Sequence, residues 1–357
     1  MISTLTFLRV CFSFFIAFGA TLCLTPLVRY ASIRAGAIDT PNERKIHKSP
    51  IANLGGIAIF LSFFATLWVV FPSISTPILG LFVCGSLLAI LGVLDDLYSI
   101  KACYKLLFQL AIVGLATSFD IRITHLVTPF WGSFSLGIWQ YPLTIFWITS
   151  LINTINLCDG VDGLATGIVC ISAMTLGILG LLQGQSVLSC LAFGIAGTAL
   201  GFLRYNFPPA SIFMGDSGSM FFGFMLASLS ILGVMKGSLS ASIGIIALPL
   251  SLPILDLLYT ILRRYRSAQS IFKADCHHFH HLLLAIGFQP PQVLKLLIAC
   301  SGLGCLFAVL LGILSPVLQW GLATGLCLLI VVFFVWGVRY PYLLKKGLLS
   351  IRLGKFF

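Results

Sequence analysis

The chain has 357 residues, 59% of them hydrophobic and 9% charged, with a mean hydropathy of +1.08. Soluble domains carry roughly 25% charged residues, so a water-soluble globular protein is excluded. The 21 Lys and Arg against 10 Asp and Glu give a net charge of +11, which on so apolar a background fits a membrane surface and not nucleic acid.

A helix crossing the bilayer core needs about 20 apolar residues. Eleven stretches qualify in chain order: 5–28, 51–71, 76–94, 104–119, 136–156, 163–182, 187–203, 218–235, 240–258, 293–314 and 318–338. The expected fold is therefore all-α and integral to the membrane, one polytopic domain over 1–357 with no repeat and no separate soluble part. The first stretch is too long for a cleaved secretion signal and leads into a charged loop, so it is expected to be retained. The ninth contains Pro249 and Pro253, whose freed carbonyls need neighbouring helices or water. Eleven cysteines at irregular spacing argue against a disulfide framework and read as small apolar residues.

With eleven spans the termini lie on opposite sides and the loops alternate. Loops 29–50, 95–103, 157–162, 204–217 and 259–295 and the tail 339–357, counting Lys105 at the edge of the next span, hold all Lys and Arg except Arg9, Arg122 and Lys236. The positive-inside rule makes this face cytoplasmic, with the N-terminus outside and the C-terminus inside. All acids but Asp120 also fall there, although carboxylates do not set topology. Ionisable groups at the ends of apolar helices are costly and point to function, so chemistry is expected at the cytoplasmic face.

The motifs follow the chain. The loop Asp39-Thr-Pro-Asn-Glu-Arg-Lys-Ile-His47-Lys48 leads into Asn53-Leu-Gly55-Gly56, where free backbone N–H groups could hold phosphate or glycines could pack helices closely. Asp95-Asp96 ends the third span, a repulsive pair that a divalent cation or a proton would relieve. Asn153-Thr-Ile-Asn156-Leu-Cys-Asp159-Gly160-Val-Asp162-Gly163 places two amides on one helical face and follows each aspartate with a glycine, so the backbone can turn sharply beside a ligand. Phe213-Met-Gly215-Asp216-Ser217-Gly218-Ser219 repeats that arrangement, with the serines as donors or helix caps. A long loop then carries Arg263, Arg264 and Arg266, able to grip anionic lipid heads, and His277-His278-Phe-His280-His281. Those histidines suit zinc, phosphate oxygens or acid–base work.

Taken together, these motifs from Asp39 to His281 resemble the polyprenyl-phosphate N-acetylhexosamine-1-phosphate transferase superfamily, nearer its undecaprenyl-phosphate GlcNAc-1-phosphate members than the phospho-MurNAc-pentapeptide translocases. The resemblance implies magnesium, or manganese in its place, held by Asp216 and Asn156 with Asp95 and Asp96 beside the metal and the lipid phosphate. It implies catalytic roles for Asp95, Asp96, Asp159, Asp216, His278, His280 and His281. Substrate-binding roles fall to Lys48, Asn153, Asn156, Asp162, Phe213, Arg263 and Arg264, with Lys48, Asp162 and a stacking Phe213 at the uridine. Two departures stand out: Ser99 occupies a position that is often acidic, and Glu43 is the sole glutamate, so the translocases' His-His-His-x-Glu segment is absent.

The implied reaction is attack by a polyprenyl-phosphate oxygen on the β-phosphate of a UDP-N-acetylhexosamine, releasing UMP and starting a lipid-linked envelope glycan such as O-antigen or teichoic acid. The implied setting is a bacterial inner membrane, with lipid and the two substrates as partners, no nucleic acid, and room for a homodimer. Two anionic substrates cannot meet at a carboxylate-rich face without a cation, which independently favours a divalent metal. Single and double displacement both stay open. The rival reading is an Asp- and His-lined ion or metal transporter, but such residues usually sit near the bilayer midplane, not at one face.

Overall fold

The computed structural model of the chain describes residues 4–40, 50–71, 73–128, 132–235, 250–266 and 287–314, with isolated positions 248, 283, 284 and 318. In chain order the described elements are α1 (Thr4–Arg34), β1 (Ile38–Asp39), β2 (Ile51–Ala52), α2 (Gly55–Val70), α3 (Thr76–Tyr98) and α4 (Ala102–Thr117). They continue with β3 (His125–Thr128), β4 (Gly132–Ser135), α5 (Gln140–Cys158), α6 (Leu164–Leu182), α7 (Ser186–Asn206), α8 (Gly215–Met235), α9 (Ser251–Arg266) and α10 (Pro290–Ile313). Six of the helices, α1, α3, α6, α7, α8 and α10, are long and apolar enough to cross a membrane, and α2 and α4 are shorter apolar helices. The protein is an all-α membrane protein.

Every expected span except the last overlaps a described helix, and 318–338 lies outside the described residues apart from Leu318. The boundaries differ where chemistry sits. α1 continues to Arg34, so Arg29 and Arg34 ride on a helix and not in a loop. α3 continues to Tyr98, which puts Asp95 and Asp96 in its last turn. α8 opens at Gly215, which puts Asp216 in its first turn. Of the ninth expected span, residues 240–247 and 249 lie outside the described residues, and α9 opens at Ser251 with Pro253 in its first turn, where a missing N–H costs nothing. From there the helix runs through Arg263, Arg264 and Arg266, which the sequence reading had placed in the loop 259–295.

Helix α8 is the axis of the bundle, packed by α2, α3, α5, α6 and α7, with Met220, Phe221, Phe222, Phe224 and Met225 fully buried. Helix α1 packs on α7 and α2 through a polar and small-residue face that buries Ser13, Ala17, Thr21 and Thr25. Its other face exposes Phe7, Leu8, Phe12 and Phe15, as a lipid-facing helix should. Without water, hydroxyls in such helices must find partners inside the protein. Thr21 and Thr25 donate to the carbonyls one turn back, and Ser13 donates across to Cys190 O on α7.

Two small antiparallel ladders join the helices. β1 pairs with β2, Ile38 against Ala52 and Asp39 against Ile51, closing the chain between α1 and α2. Ala52 also bridges Ile212 in parallel, which ties the approach to α2 to the approach to α8. The hairpin β3–β4 pairs His125 through Thr128 with Ser135 through Gly132, between the fourth and fifth helices. A two-strand ribbon was not foreseen there, since its short strands leave no periodic signal between two apolar spans.

Candidate active site

The C-terminal ends of α3, α5 and α7 and the N-terminal ends of α4, α6 and α8 carry the residues singled out from the sequence, and the structure brings most of them together. Asp95 is buried in the last turn of α3. Its Oδ1 accepts from the Ile100 N–H at 2.7 Å, and its Oδ2 lies 2.8 Å from Lys105 Nζ on α4. The turn between them closes on Ser99, which takes the left-handed conformation (φ 52°) and donates its N–H to Asp95 O.

Lys105 is the hub. Its ammonium also lies 2.8 Å from Asp216 Oδ2, so one cation joins carboxylates from α3 and α8. The lysine side chain is 13% exposed, against 7% for Asp95 and 30% for Asp216. Asp216 therefore opens toward the solvent edge while the other two are enclosed. In the sequence Lys105 is one more basic residue of the topological bias.

From α5, Asn156 directs its amide Nδ2 to Asp216 Oδ1 and to Ser219 Oγ, the latter at 2.9 Å. Asn153, one turn earlier, faces the protein interior instead. Its Nδ2 donates to Gln109 Oε1 at 2.9 Å and to Thr149 O at 2.8 Å. Gln109 is fully buried and braces α4 against α5, a role that no sequence signal announced.

Asp159 caps the end of α5 and shares the field of the cluster. Burial, reinforced by the charges of Asp216, Asp96 and Asp162, holds its carboxyl well above the usual carboxylate range. Asp96 points away from Lys105. Its Oδ1 accepts from the Asp216 N–H at 2.8 Å and from Asn53 Nδ2 at 3.3 Å, while its Oδ2 accepts from Ser217 N–H and Ser217 Oγ at 3.2 and 3.0 Å.

A second layer holds the stretch 207–214 between α7 and α8. Asp162 Oδ2 accepts from the Ala210 N–H at 2.9 Å. Asn206, 1% exposed, accepts from the Gly163 N–H and Thr166 Oγ and donates to Ile212 O. Phe213, half-buried, donates its N–H to Ala52 O and accepts from the Gly55 N–H, while Met214 O accepts from Gly56. The Gly55–Gly56 amides are thus committed to this strip, which favours the packing reading of that motif over phosphate binding. Gly163 turns the chain at φ 75° and Gly215 at φ 69°, the sharp turns that the Asp-Gly and Gly-Asp pairs foreshadow.

Arg264 is buried on α9, which packs against α5 and α10, and Arg263 lays its guanidinium over the Tyr259 ring, 5.9 Å from its centre. Lys48, His278, His280 and His281 lie outside the described residues.

Among the described residues, no group of three His, Cys, Asp or Glu side chains is arranged to hold a metal unaided. Two carboxylates already share one cation, however, and Asp216 and Asp95 are hard oxygen donors that suit a divalent ion completed by substrate oxygens and water; Asn156 turns its amide NH2 to Asp216 and would add Oδ1 to that set only with the amide reversed.

Residues 78–234 match the Glycosyl transferase family 4 model. A probable undecaprenyl-phosphate N-acetylglucosaminyl 1-phosphate transferase of Bacillus subtilis is 36% identical over 283 residues, 79% of each chain. The chain belongs to the polyprenyl-phosphate N-acetylhexosamine-1-phosphate transferases. It is similar as well to a decaprenyl-phosphate N-acetylglucosaminephosphotransferase of Mycobacterium tuberculosis, 32% identical over 79% of this chain and 78% of the relative. An undecaprenyl-phosphate α-N-acetylglucosaminyl 1-phosphate transferase of Escherichia coli K12 is 28% identical over 89% and 86%. As a member of this family the protein is a phosphotransferase, and the matched segment 78–234 contains Asp95, Lys105, Asn156, Asp159 and Asp216.

Proposed function

We propose that this transferase moves GlcNAc-1-phosphate from UDP-GlcNAc to undecaprenyl phosphate with Mg²⁺ as cofactor, at the cytoplasmic face of a bacterial plasma membrane. The observation that carries the reading is the Lys105 ammonium held between Asp95 and Asp216 where helix ends converge. Family membership supplies the reaction class. The names of the relatives from Bacillus subtilis and Escherichia coli support GlcNAc and undecaprenyl phosphate.

In this reading a lipid-phosphate oxygen attacks the β-phosphorus of the UDP-sugar. The bond from that phosphorus to the bridging oxygen breaks, and UMP leaves with the oxygen. One phosphoanhydride replaces another, and the lipid phosphate is already ionised near neutral pH, so no strong base is needed. Asp216 and Asp95, with Oδ1 of Asn156 once its amide is reversed, would hold Mg²⁺, whose chemistry when bound is to offset the diphosphate charge. Lys105, released toward the substrates, would place its ammonium beside charge that grows on the transferring phosphoryl group. Asp162 would hold the stretch that carries Phe213, the candidate partner of the uracil ring, in place. Lys48 and the histidines His278, His280 and His281 are proposed on the resemblance alone, as are Arg263 and Arg264.

The cytoplasmic orientation rests on the basic residues that gather at the same end as the acids, Arg29, Arg34, Lys101, Lys105 and Arg204 among them. The lipid-linked product would start an envelope glycan. The test is UMP release by detergent-purified protein with undecaprenyl phosphate and Mg²⁺, across UDP-GlcNAc, UDP-GalNAc and UDP-MurNAc-pentapeptide. Turnover with UDP-GlcNAc and its loss in Asp216→Ala are expected. Release from another donor alone, or from none, overturns the assignment.

A further inference from the structure

The two adjacent aspartates of α3 face different partners, and the difference assigns them different work. Asp95 leaves one oxygen on the shared Lys105 cation. Asp96 spends both oxygens on four hydrogen bonds, to the backbone N–H groups of Asp216 and Ser217, the Ser217 hydroxyl and the Asn53 amide. A carboxylate has about four lone-pair sites, so none is left for a metal. The first N–H groups of a helix have no partner within it. The residue before α8 is Met214, which has no side-chain oxygen to offer them, so the cap comes from another helix.

The packing makes this contact rigid. Gly92, one turn before Asp96, lies so close to Ser217 that an added Cβ would strike its backbone. Gly56 of α2 meets Gly218 and Ser217 in the same way, and a Cβ on Gly215 would run into the Asp96 carboxylate. The start of α8 is therefore held on two sides by backbone and on a third by Asp96.

We propose that Asp96 is a positioning residue that caps α8 from α3 and thereby sets the Asp216 carboxylate against Lys105 and Asn156, and that it is not itself a metal ligand. The proposal rests on the reading of this site as a magnesium-dependent transferase centre. Asparagine keeps one oxygen for the shorter bond from the Asp216 N–H and turns its NH2 to Ser217, whose hydroxyl can rotate to accept it, so it caps partly, whereas alanine keeps neither oxygen. Asp96→Asn should therefore keep the Mg²⁺-induced rise in melting temperature, with Mg²⁺ half-saturation within about threefold of wild type and turnover within about tenfold.

Asp96→Ala, assayed far below its melting temperature, should lose about a hundredfold in kcat with little change in KM, as a displaced Asp216 would cause. If Asp96→Ala does not fold, Ser217→Ala, which removes one of the four bonds, carries the kcat measurement and should show an intermediate loss. A rise of tenfold or more in Mg²⁺ half-saturation for Asp96→Asn would make Asp96 a ligand and overturn the proposal. Wild-type kcat in whichever of Asp96→Ala and Ser217→Ala is assayed would reduce the cap to a stabilising contact and overturn it equally. A wild-type protein that releases no UMP overturns the functional reading alone, because the Mg²⁺-dependent melting shift of Asp96→Asn still decides the role of Asp96.

Discussion

Replacing Asn206 should damage stability and substrate binding together, and the structure says by how much. Its side chain is 1% exposed and makes three hydrogen bonds, from the Gly163 N–H at 3.0 Å, from Thr166 Oγ at 3.0 Å and to Ile212 O at 3.1 Å. Asn206→Ala strands the Gly163 N–H and the Ile212 carbonyl, while the Thr166 hydroxyl can turn to its own helix. Two orphaned buried groups at ~1–3 kcal/mol each give a loss of about 2–6 kcal/mol. The two tethered segments carry Asp162 and Phe213, so part of the damage should reach the donor site. A share of ~1.4 kcal/mol would raise KM for the UDP-sugar about tenfold. Asn206→Asp keeps the acceptor but turns an oxygen toward Ile212 O, so it should not rescue the site. Thermal denaturation in detergent and UMP-release kinetics measure both effects. An Asn206→Asp variant with wild-type melting temperature and KM would refute the reasoning, because it would show that the Ile212 bond contributes nothing.

Three more outcomes follow from the same geometry. Lys105→Met leaves Asp95 and Asp216 facing each other without their cation, so metal-free protein should melt lower and gain more from Mg²⁺ than wild type, with turnover reduced about a hundredfold; equal Mg²⁺-induced shifts would count against it. Gly92→Ala should be destabilised by ~1–3 kcal/mol through overpacking on the Ser217 backbone, although helix propensity alone favours alanine by ~1 kcal/mol, so the sign of the melting shift decides. The raised Asp159 carboxyl binds its proton more tightly in the folded protein than in the unfolded chain. Metal-free stability should therefore fall as pH rises from the ordinary carboxylate range to that elevated value, with Mg²⁺ offsetting the loss; melting curves with and without Mg²⁺ across this window check it.

The sequence made the convergence of acids legible because acids are expensive in apolar helices and here gather at span ends. Three things were hidden. Lys105 looked like one more topological charge, since nothing local shows that its ammonium reaches Asp216, 111 residues away. Asp95 and Asp96 looked alike, since neighbouring residues differ by about 100° around a helix and only the packed partner tells which one faces the site. Gly55–Gly56 supported two readings until the Phe213–Met214 carbonyls were seen to take their N–H groups. The place of the arginines has a different cause: α9 runs on from Ser251 to Arg266, past the apolar residues that mark its start, and carries Arg263, Arg264 and Arg266 with it.

The clustering of carboxylates at one face follows from the membrane as much as from catalysis. Helix ends leave backbone donors unpaired, and in an apolar bundle side chains must supply the acceptors. Here Asp96 serves the start of α8, Asp162 serves Ala210, and one oxygen of Asp95 serves Ile100. Asp96, with both oxygens taken, is fixed in place and has little left to offer a ligand. The second oxygen of Asp95 and Oδ2 of Asp216 instead meet a lysine ammonium, a partner that a substrate or a metal can exchange without breaking the backbone. That distinction, between carboxylates tied to amides and carboxylates tied to a movable cation, sorts the acids more sharply than their shared address at the helix ends, and it is the ground for proposing Asp95 and Asp216 as the seat of the transfer chemistry.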